Sequence, residues 1–219
     1  MLGLYVTVPI ACFRPGVARE FWETLPLPPP STVYGFLLSM VGETDRTRHI
    51  GARCTAGTVG QPDRSTVLRR MWRIKELGGK SGATQGNASN VRPDYQQLLS
   101  NCRLIIFLDS SDETGEAPNL EARVSDALDP KRRSRINRFG GLSLGESTHM
   151  VDEVVSLDRI NQKSLSDAKV FLVDAEGSMT LPVWVDHVGS AGTNYATGNL
   201  AQTSSIQPDA KQIPRIVPK

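Results

Sequence analysis

The sequence contains few of the residues on which metal sites, disulfide frameworks and membrane spans depend. Its 219 residues include only three cysteines, which lie far apart and form no CxxC or Cys/His pattern. That spacing indicates isolated thiols and no zinc site or disulfide framework, so we expect neither metal nor cofactor. No apolar run approaches the roughly 20 residues of a membrane-spanning helix. The N-terminal MLGLYVTVPI lacks the basic region and cleavage site of a signal peptide, so we expect a cytoplasmic protein.

A large net charge is also missing, although the charges are unevenly placed. The formal net charge is only +2, so the whole chain does not indicate a nucleic-acid partner. Cations cluster in RRMWRIK (69–75) and KRRSRINR (131–138), whereas acids concentrate in DSSDETGE (109–116). Local basic patches on a near-neutral chain are typical of a protein with one anionic partner and several protein neighbours.

The hydrophobic periodicity predicts an α+β protein with a main domain, residues 1–157, and a small C-terminal β extension, residues 158–219. The main domain has the order βαββαβ of the ferredoxin-like fold, which RNA-recognition modules also use. A projecting hairpin, about residues 64–97, separates its second and third strands. The predicted elements are strands 2–10, 52–60, 102–110 and 150–157, helices 31–42 and 118–128, and a C-terminal hairpin around 175–178 with a patternless tail.

A proline run, PLPPP (26–30), stiffens the chain just before the first helix. Ser31 is the predicted N-cap and Gly42 the predicted end of this helix. The interior Gly35 costs about 1 kcal/mol relative to alanine, which predicts close backbone packing there. The hydroxyls of Ser31 and Thr32 stand at a helix start that could accept a phosphate. The alternative is a rigid connector that Ser31 only caps.

The stretch GGLSLGES (140–147) follows the second basic run and is typical of an anion-binding loop. Gly140 and Gly141 permit positive φ, and successive N–H groups in such a loop form a concave anion site. The stretch is neither a P-loop nor a dinucleotide-binding fingerprint, because no Gly-Lys-Ser/Thr follows and no strand closely precedes it. With the neighbouring arginines it predicts contact with an RNA backbone. An ordinary glycine turn is the alternative.

The projecting hairpin carries the first basic run. By strand alternation Arg69, Arg73 and Lys75 share one side, while Arg70 lies on the other side with Trp72. Trp72 offers a stacking surface worth about 1–3 kcal/mol per base. The hairpin is therefore predicted to contact nucleotides, and a ribbon exposed to water on both faces is the alternative.

A catalytic site is difficult to build from this sequence. The histidines His49, His149 and His187 are scattered, and neither HExxH nor a nucleophile elbow occurs. Glu146 and His149 are close in sequence but lack a third metal ligand. A metal-independent endoribonuclease would need only a His, Tyr or Lys side chain aimed at a 2′-OH, and it stays as the alternative activity.

Three stretches together resemble the CRISPR-associated protein family five of the RAMP superfamily. LPLPPPSTVYGFLLSMVGE (25–43) is similar to the family's proline-rich loop and first helix, and RFGGLSLGEST (138–148) to its glycine-rich loop. Residues 69–94 match its thumb hairpin by position and charge. The resemblance spans roughly residues 1–157 and leans toward a type I-B-like system.

The resemblance implies a non-catalytic subunit of type I Cascade that binds and caps the 5′ handle of the guide RNA. Its implied partners are the Cascade backbone subunit, the large PAM-recognising subunit and, indirectly, target DNA, in antiviral defence or with a transposition adaptor. One subtype of the family instead cleaves precursor guide RNA. Resemblance and charge together predict these RNA-contacting residues: Arg14, Ser31, Thr32, Tyr34, Arg69, Arg70, Trp72, Arg73, Lys75, Arg92, Arg135, Arg138, Gly140, Gly141, Leu142, Gly145, Glu146 and Ser147.

Overall fold

A computed structural model of the chain describes residues 1–15, 21–72, 91–115, 117–202 and 207–219, with the backbone only at 71, 72, 91 and 92. Arg73, Lys75 and the tip of the predicted hairpin lie outside these ranges, as do the side chains of Trp72 and Arg92. Within them, no helix is both long and apolar enough to cross a membrane.

The described elements form one sheet with two α-helices. The helices are α1 (Pro30–Met40) and α2 (Leu120–Leu128). The sheet order is β6-β1-β5-β3-β7-β9-β8, and β2 and β4 also pair with β5. The strands are β1 (Leu2–Ala11), β2 (Phe21–Trp22), β3 (Arg53–Val59), β4 (Asp63–Trp72), β5 (Val91–Asp109), β6 (Glu153–Ser156), β7 (Ala168–Val173), β8 (Met179–Trp184) and β9 (Asn194–Gln202).

The core strands β6-β1-β5-β3 reproduce the predicted ferredoxin-like plan. All three neighbouring pairs are antiparallel, and β5 separates the parallel strands β1 and β3. The alternating residues Leu4, Val6 and Val8 of β1 are at most 1% exposed, because this face of the sheet packs against both helices. The predicted βαββαβ order is therefore confirmed, although the fourth strand is shorter than the predicted 150–157.

Strand β5 joins the core to the projecting hairpin. Its second half pairs with β1 and β3, and its first half pairs with β4, from Asp63↔Ser100 to Trp72↔Val91. The two-residue strand β2 adds to the hairpin in parallel, where a loop was expected. Because one strand runs through both parts, the base of the hairpin is fixed relative to the core.

Helix α1 begins one residue earlier than predicted, so the assignment of Ser31 as the N-cap is wrong. Pro29 is the N-cap and Pro30 occupies the first helical position, where its fixed φ fits and its missing N–H costs nothing. The prediction for the other end is confirmed. Gly42 has a φ of 67°, and Gly42 N–H and Glu43 N–H bond back to the carbonyls of Ser39 and Leu38.

The prediction of close packing at Gly35 is also wrong. A Cβ atom placed on Gly35 would meet no atom within 4 Å beyond its chain neighbours and the backbone of its own helix, and the residue is exposed. Gly35 thus lowers the helix propensity of α1 without any packing contact that requires a glycine.

The C-terminal extension differs from the predicted hairpin. Strands β7 and β8 do not pair with each other, because β9, formed by the supposedly patternless tail, lies between them. The turn at Gly177 passes so closely over Gly198 of β9 that a Cβ atom on Gly177 would lie 2.4 Å from the Gly198 carbonyl oxygen. The chain end then packs against β3, with Ile216 fully buried. Pairing of β7 with β3 continues the core sheet, and the boundary at residue 157 stays a prediction.

Gly35 inside α1 and Gly42 just after it should respond oppositely to substitution by alanine. Gly42→Ala should lower the free energy of unfolding by about 1–3 kcal/mol, because φ is positive and the new Cβ would lie 2.1 Å from the Asn137 carbonyl oxygen. Gly35→Ala should raise it by up to about 1 kcal/mol. Urea unfolding of both variants checks this, and equal destabilisation by the two changes would contradict the account of Gly35.

Candidate nucleic-acid interface

A groove runs along the N-terminal half of α1, and we call it the α1 groove. It consists of two adjoining clefts of about 410 and 490 Å³. Both are lined by Ser31, Thr32, Gly145 and His187, so they form one continuous surface. The predicted residues that line the groove are Arg14, Ser31, Thr32, Tyr34, Gly145 and Glu146.

One end of the groove is built on a stacked pair that the sequence analysis missed. The Arg46 guanidinium lies 3.8 Å from the centre of the Trp184 ring and donates to the Val185 carbonyl at 2.7 Å. The Tyr34 hydroxyl donates to the Arg46 carbonyl at 2.9 Å. Burial raises the pKa of Tyr34, which stays a neutral donor. Tyr34 therefore positions the backbone of Arg46. The stacked residues Arg46 and Trp184 are 138 positions apart, so no local sequence pattern predicts their contact.

The other end of the groove is organised by Glu146 in the glycine-rich loop. Its carboxylate accepts hydrogen bonds from Arg69 at 3.1 Å and from Gln96 at 2.9 Å. Arg69 also donates to Gln96, and the Arg14 guanidinium lies 3.8 Å from the Glu146 carboxylate. We call these four residues the Glu146 cluster. It connects the glycine-rich loop, the segment after β1 and the base of the hairpin.

Trp22 of β2 lies against the same cluster. The guanidinium carbons of Arg14 and Arg69 are 4.5 and 5.7 Å from its ring centre, which is cation–π geometry. Trp22 stands opposite Gln96 in the strand pairing. The sequence analysis missed Trp22 and Gln96, because β2 is too short to produce a periodic signal.

A buried histidine holds the end of the glycine-rich loop. His149 Nδ1 accepts from the N–H groups of Cys12 at 3.2 Å and Glu146 at 3.3 Å, so the neutral ring carries its proton on Nε2. Burial lowers the pKa of His149 below its ordinary value. Gly145 has a φ of 101°, and a Cβ there would lie 2.8 Å from the Cys12 carbonyl oxygen. The loop therefore fits closely against the segment that carries Arg14.

The glycine-rich loop is divided between two surfaces. Its second half, Ser143–Glu146, lines the α1 groove. Its first half lines a separate cleft of about 480 Å³ beside α2 and β6, which we call the α2 cleft. The predicted residues Arg138, Gly141 and Leu142 line this second cleft, so the structure does not bring them together with the α1 groove.

The other predicted residues whose side chains lie within the described ranges are exposed. Arg70 lies on the face of β4 opposite to Arg69, as alternation predicts. Arg135 belongs to a short 3₁₀ turn, Gly140 has open space where a side chain would point, and Ser147 is on the loop surface. RNA contact at these positions stays a prediction.

His49 belongs to a structural network on the far side of α1. The ring is fully buried, contacts Glu113 and lies 2.7 Å from an Arg123 nitrogen. Arg123 also bonds Glu43 at 2.6 Å and lowers the pKa of that carboxyl to about 2. Across the described ranges, no three His, Cys, Asp or Glu side chains are arranged to hold a metal ion.

The fold and the groove define an α+β protein of the ferredoxin-like class with a hairpin extension. The chain is 44% identical, over 99% of its length and 97% of the relative's, to the CRISPR-associated protein Cas5 of Myxococcus xanthus (strain DK1622). No protein-family model matches. In a solved structure named CRISPR RNA-guided surveillance complex, one chain shares the fold with a TM-score of 0.57 at 15% identity, covering 90% of this chain and 86% of that one. At 44% identity over nearly its full length, this chain belongs to the Cas5 family of CRISPR-associated proteins.

The Glu146–Arg69 contact should be measurable by a double-mutant cycle. Combining Arg69→Met with Glu146→Gln should give a coupling energy of about 0.5–1 kcal/mol, the range for a partly exposed pair. Arg70→Met is the matched control, because Arg70 points to the opposite face and should show no coupling. Urea unfolding of the variants gives the energies, and equal coupling for both arginines would contradict the assignment.

Protonation of His149 should loosen the loop. Because its folded pKa lies below the unfolded value of about 6.5, the unfolded state binds the proton first. The stability contribution of the neutral ring is therefore complete above that pH and falls as pH decreases toward the folded pKa. The difference in unfolding free energy between the wild type and His149→Gln should shrink from pH 7.5 to 5.5, values chosen to lie about one unit either side of 6.5. A difference independent of pH would contradict this.

Proposed function

We propose that this chain is the subunit of a type I Cascade complex that binds and caps the 5′ handle of the guide RNA without cleaving it. In this role it also links the backbone subunits to the large PAM-recognising subunit for RNA-guided DNA targeting. Membership in the Cas5 family supports the proposal, as does a shared fold with a chain of a CRISPR RNA-guided surveillance complex.

The observation that carries the proposal is the meeting of four kinds of group at the α1 groove. Hydroxyls of Ser31 and Thr32 stand at the start of α1, where the positive end of the helix dipole favours an anion. Arg46 and Arg14 line the two ends of the groove, the Trp184 ring also lines it, and the Trp22 ring lies against Arg14 just outside the lining. Single-stranded RNA needs this combination, because phosphates require cations and donors while unpaired bases require flat apolar surfaces.

Gly35 adds a second reason to assign a ligand to the groove. Gly35 lines the α1 groove, the space beside its Cα on the solvent side is empty, and no packing contact requires a glycine there. A glycine in a helix interior is normally replaced by a better helix former unless space is needed. We infer that the space above Gly35 is occupied by RNA in the assembled complex.

Metal-independent cleavage of precursor guide RNA is the rival function. Of the three histidines, His49 and His149 have structural partners, so loss of cleavage in their variants would not separate catalysis from folding. His187 is exposed in the α1 groove. The informative variant is therefore His187→Ala, and cleavage that this change abolishes would favour the nuclease.

The proposed function is tested with the purified chain, alone and with its backbone subunit. A labelled repeat-derived 5′ handle competes against unlabelled handle or scrambled RNA of equal length, at two salt concentrations. We expect displacement by handle but not by scrambled RNA, with weaker binding at high salt. Equal displacement by both RNAs would overturn handle recognition, and the same gel reports cleavage.

A side chain that fills the α1 groove should weaken RNA binding without lowering the free energy of unfolding. Gly35→Met adds a long side chain at a position where its Cβ atom meets open space, and methionine is a better helix former than glycine, so the free energy of unfolding should not fall. Handle affinity should drop about tenfold or more, equivalent to at least 1.4 kcal/mol. Ser125→Met, on the exposed surface of α2, is the matched control. Unchanged handle affinity in Gly35→Met would place the RNA elsewhere.

A further inference from the structure

The α2 cleft has a composition that differs from that of the α1 groove. It lies between the end of α2, the turn that carries the second basic run, and the chain that enters β6, and the two sites share no lining residue. Its lining combines the charged residues Arg133, Arg138 and Asp152 with these aliphatic or thioether side chains: Met40, Leu128, Ile136, Leu142, Met150 and Val154.

Two apolar side chains at or next to the α2 cleft are exposed to solvent. Met150 is 49% exposed and lies across Gly141, where a Cβ atom would be 2.1 Å from its methyl group. Phe139, between the lining residue Arg138 and the two glycines, is fully exposed at 104%. Exposed apolar side chains beside an apolar cleft indicate a surface that is covered in an assembly. Methionine in particular adapts to the shape of a partner's side chains.

The rim of the cleft is positively charged. Arg133 and Arg138 line it, and in the part of the chain that the structure describes neither has a carboxylate within ion-pair distance. The neighbouring Arg132 is different, because it pairs with Asp126 at 2.6 Å and with Asp129 at 3.5 Å. Asp152 is the one carboxylate in the lining. The rim therefore keeps a net positive charge beside the aliphatic side chains of the lining.

We propose that the α2 cleft docks an acidic, amphipathic segment of another protein. The aliphatic part of the lining suits leucine-like side chains, whereas a nucleobase would be held by aromatic stacking and by donors or acceptors for its edges. The rim arginines match Asp or Glu residues that flank the apolar side chains of the partner. This site is separate from the handle-binding surface and goes beyond the proposed function.

The methionines make the cleft directly observable. Met40 and Met150 line it, whereas Met1 and Met179 lie outside it. The full chain, labelled with ¹³C at the methionine methyl groups, is titrated with a synthetic helical peptide that carries leucines on one face and glutamates on the other. A matched peptide has lysine at every glutamate position.

We expect the glutamate peptide to bind saturably and to shift the Met40 and Met150 methyl signals, with Met1 and Met179 unchanged. The lysine peptide should bind about tenfold more weakly or not at all, because the rim charge then repels it. Saturable binding of both peptides with equal affinity, or absence of saturable binding by the glutamate peptide, would overturn the proposal.

Variants at the rim distinguish a protein partner from RNA. The change Arg133→Glu should weaken the glutamate peptide about tenfold, as expected for charge reversal at an interface, and leave handle affinity unchanged. Lys163→Glu is the matched charge reversal, in a segment that packs against the other hydrophobic cluster, and should affect neither. A rim variant that loses handle binding but keeps peptide binding would show that Arg133 serves RNA and would overturn the proposal. Failure of the wild type to prefer the handle would instead count against the proposed function alone.

Discussion

The carboxylate of Glu146 joins three parts of the chain that the fold brings together from distant positions. It lies in the glycine-rich loop, bonds Arg69 and Gln96 at the hairpin base and faces Arg14 after β1. Without this negative charge, the positive charges of Arg14 and Arg69 would lie close together beside Trp22 with no carboxylate to offset their repulsion. The groove depends on the cluster, because the cluster fixes the loop that forms one wall relative to Arg14 and to the base of the hairpin.

The geometry of the Glu146 cluster depends on the rigid elements that hold its members, namely strand β5 and the loop segment bound by His149. Strand β5 runs without interruption from the hairpin, where it carries Gln96, into the buried centre of the sheet. Behind the loop, the neutral ring of His149 accepts two backbone N–H groups and so fixes Glu146 against the segment of Cys12. Core packing, hairpin orientation and groove shape are therefore consequences of one connected set of contacts.

Local patterns in the sequence predicted the elements that a local signal determines. The alternation of β1, the apolar face of α1 and its closing Gly42 follow from the chain's own periodicity and from glycine's access to positive φ. Strand pairing between distant segments was not predictable. The segments β2 and β9 are strands because they pair with β5 and β7, and the sequence of the C-terminal tail has no periodic apolar pattern. The resemblance identified the family, while the Arg46–Trp184 stack and the division of the glycine-rich loop emerged only in three dimensions.

The central claim is that the handle lies in the α1 groove, and photo-crosslinking tests it most directly. A 5′ handle that carries 4-thiouridine at successive positions is bound to the chain with its backbone subunit, irradiated and mapped by mass spectrometry. The account predicts crosslinks in the first turn of α1, in residues 143–146 and in residues 183–187. Crosslinks confined to the opposite side of the sheet, such as the segment around Lys163, would contradict it.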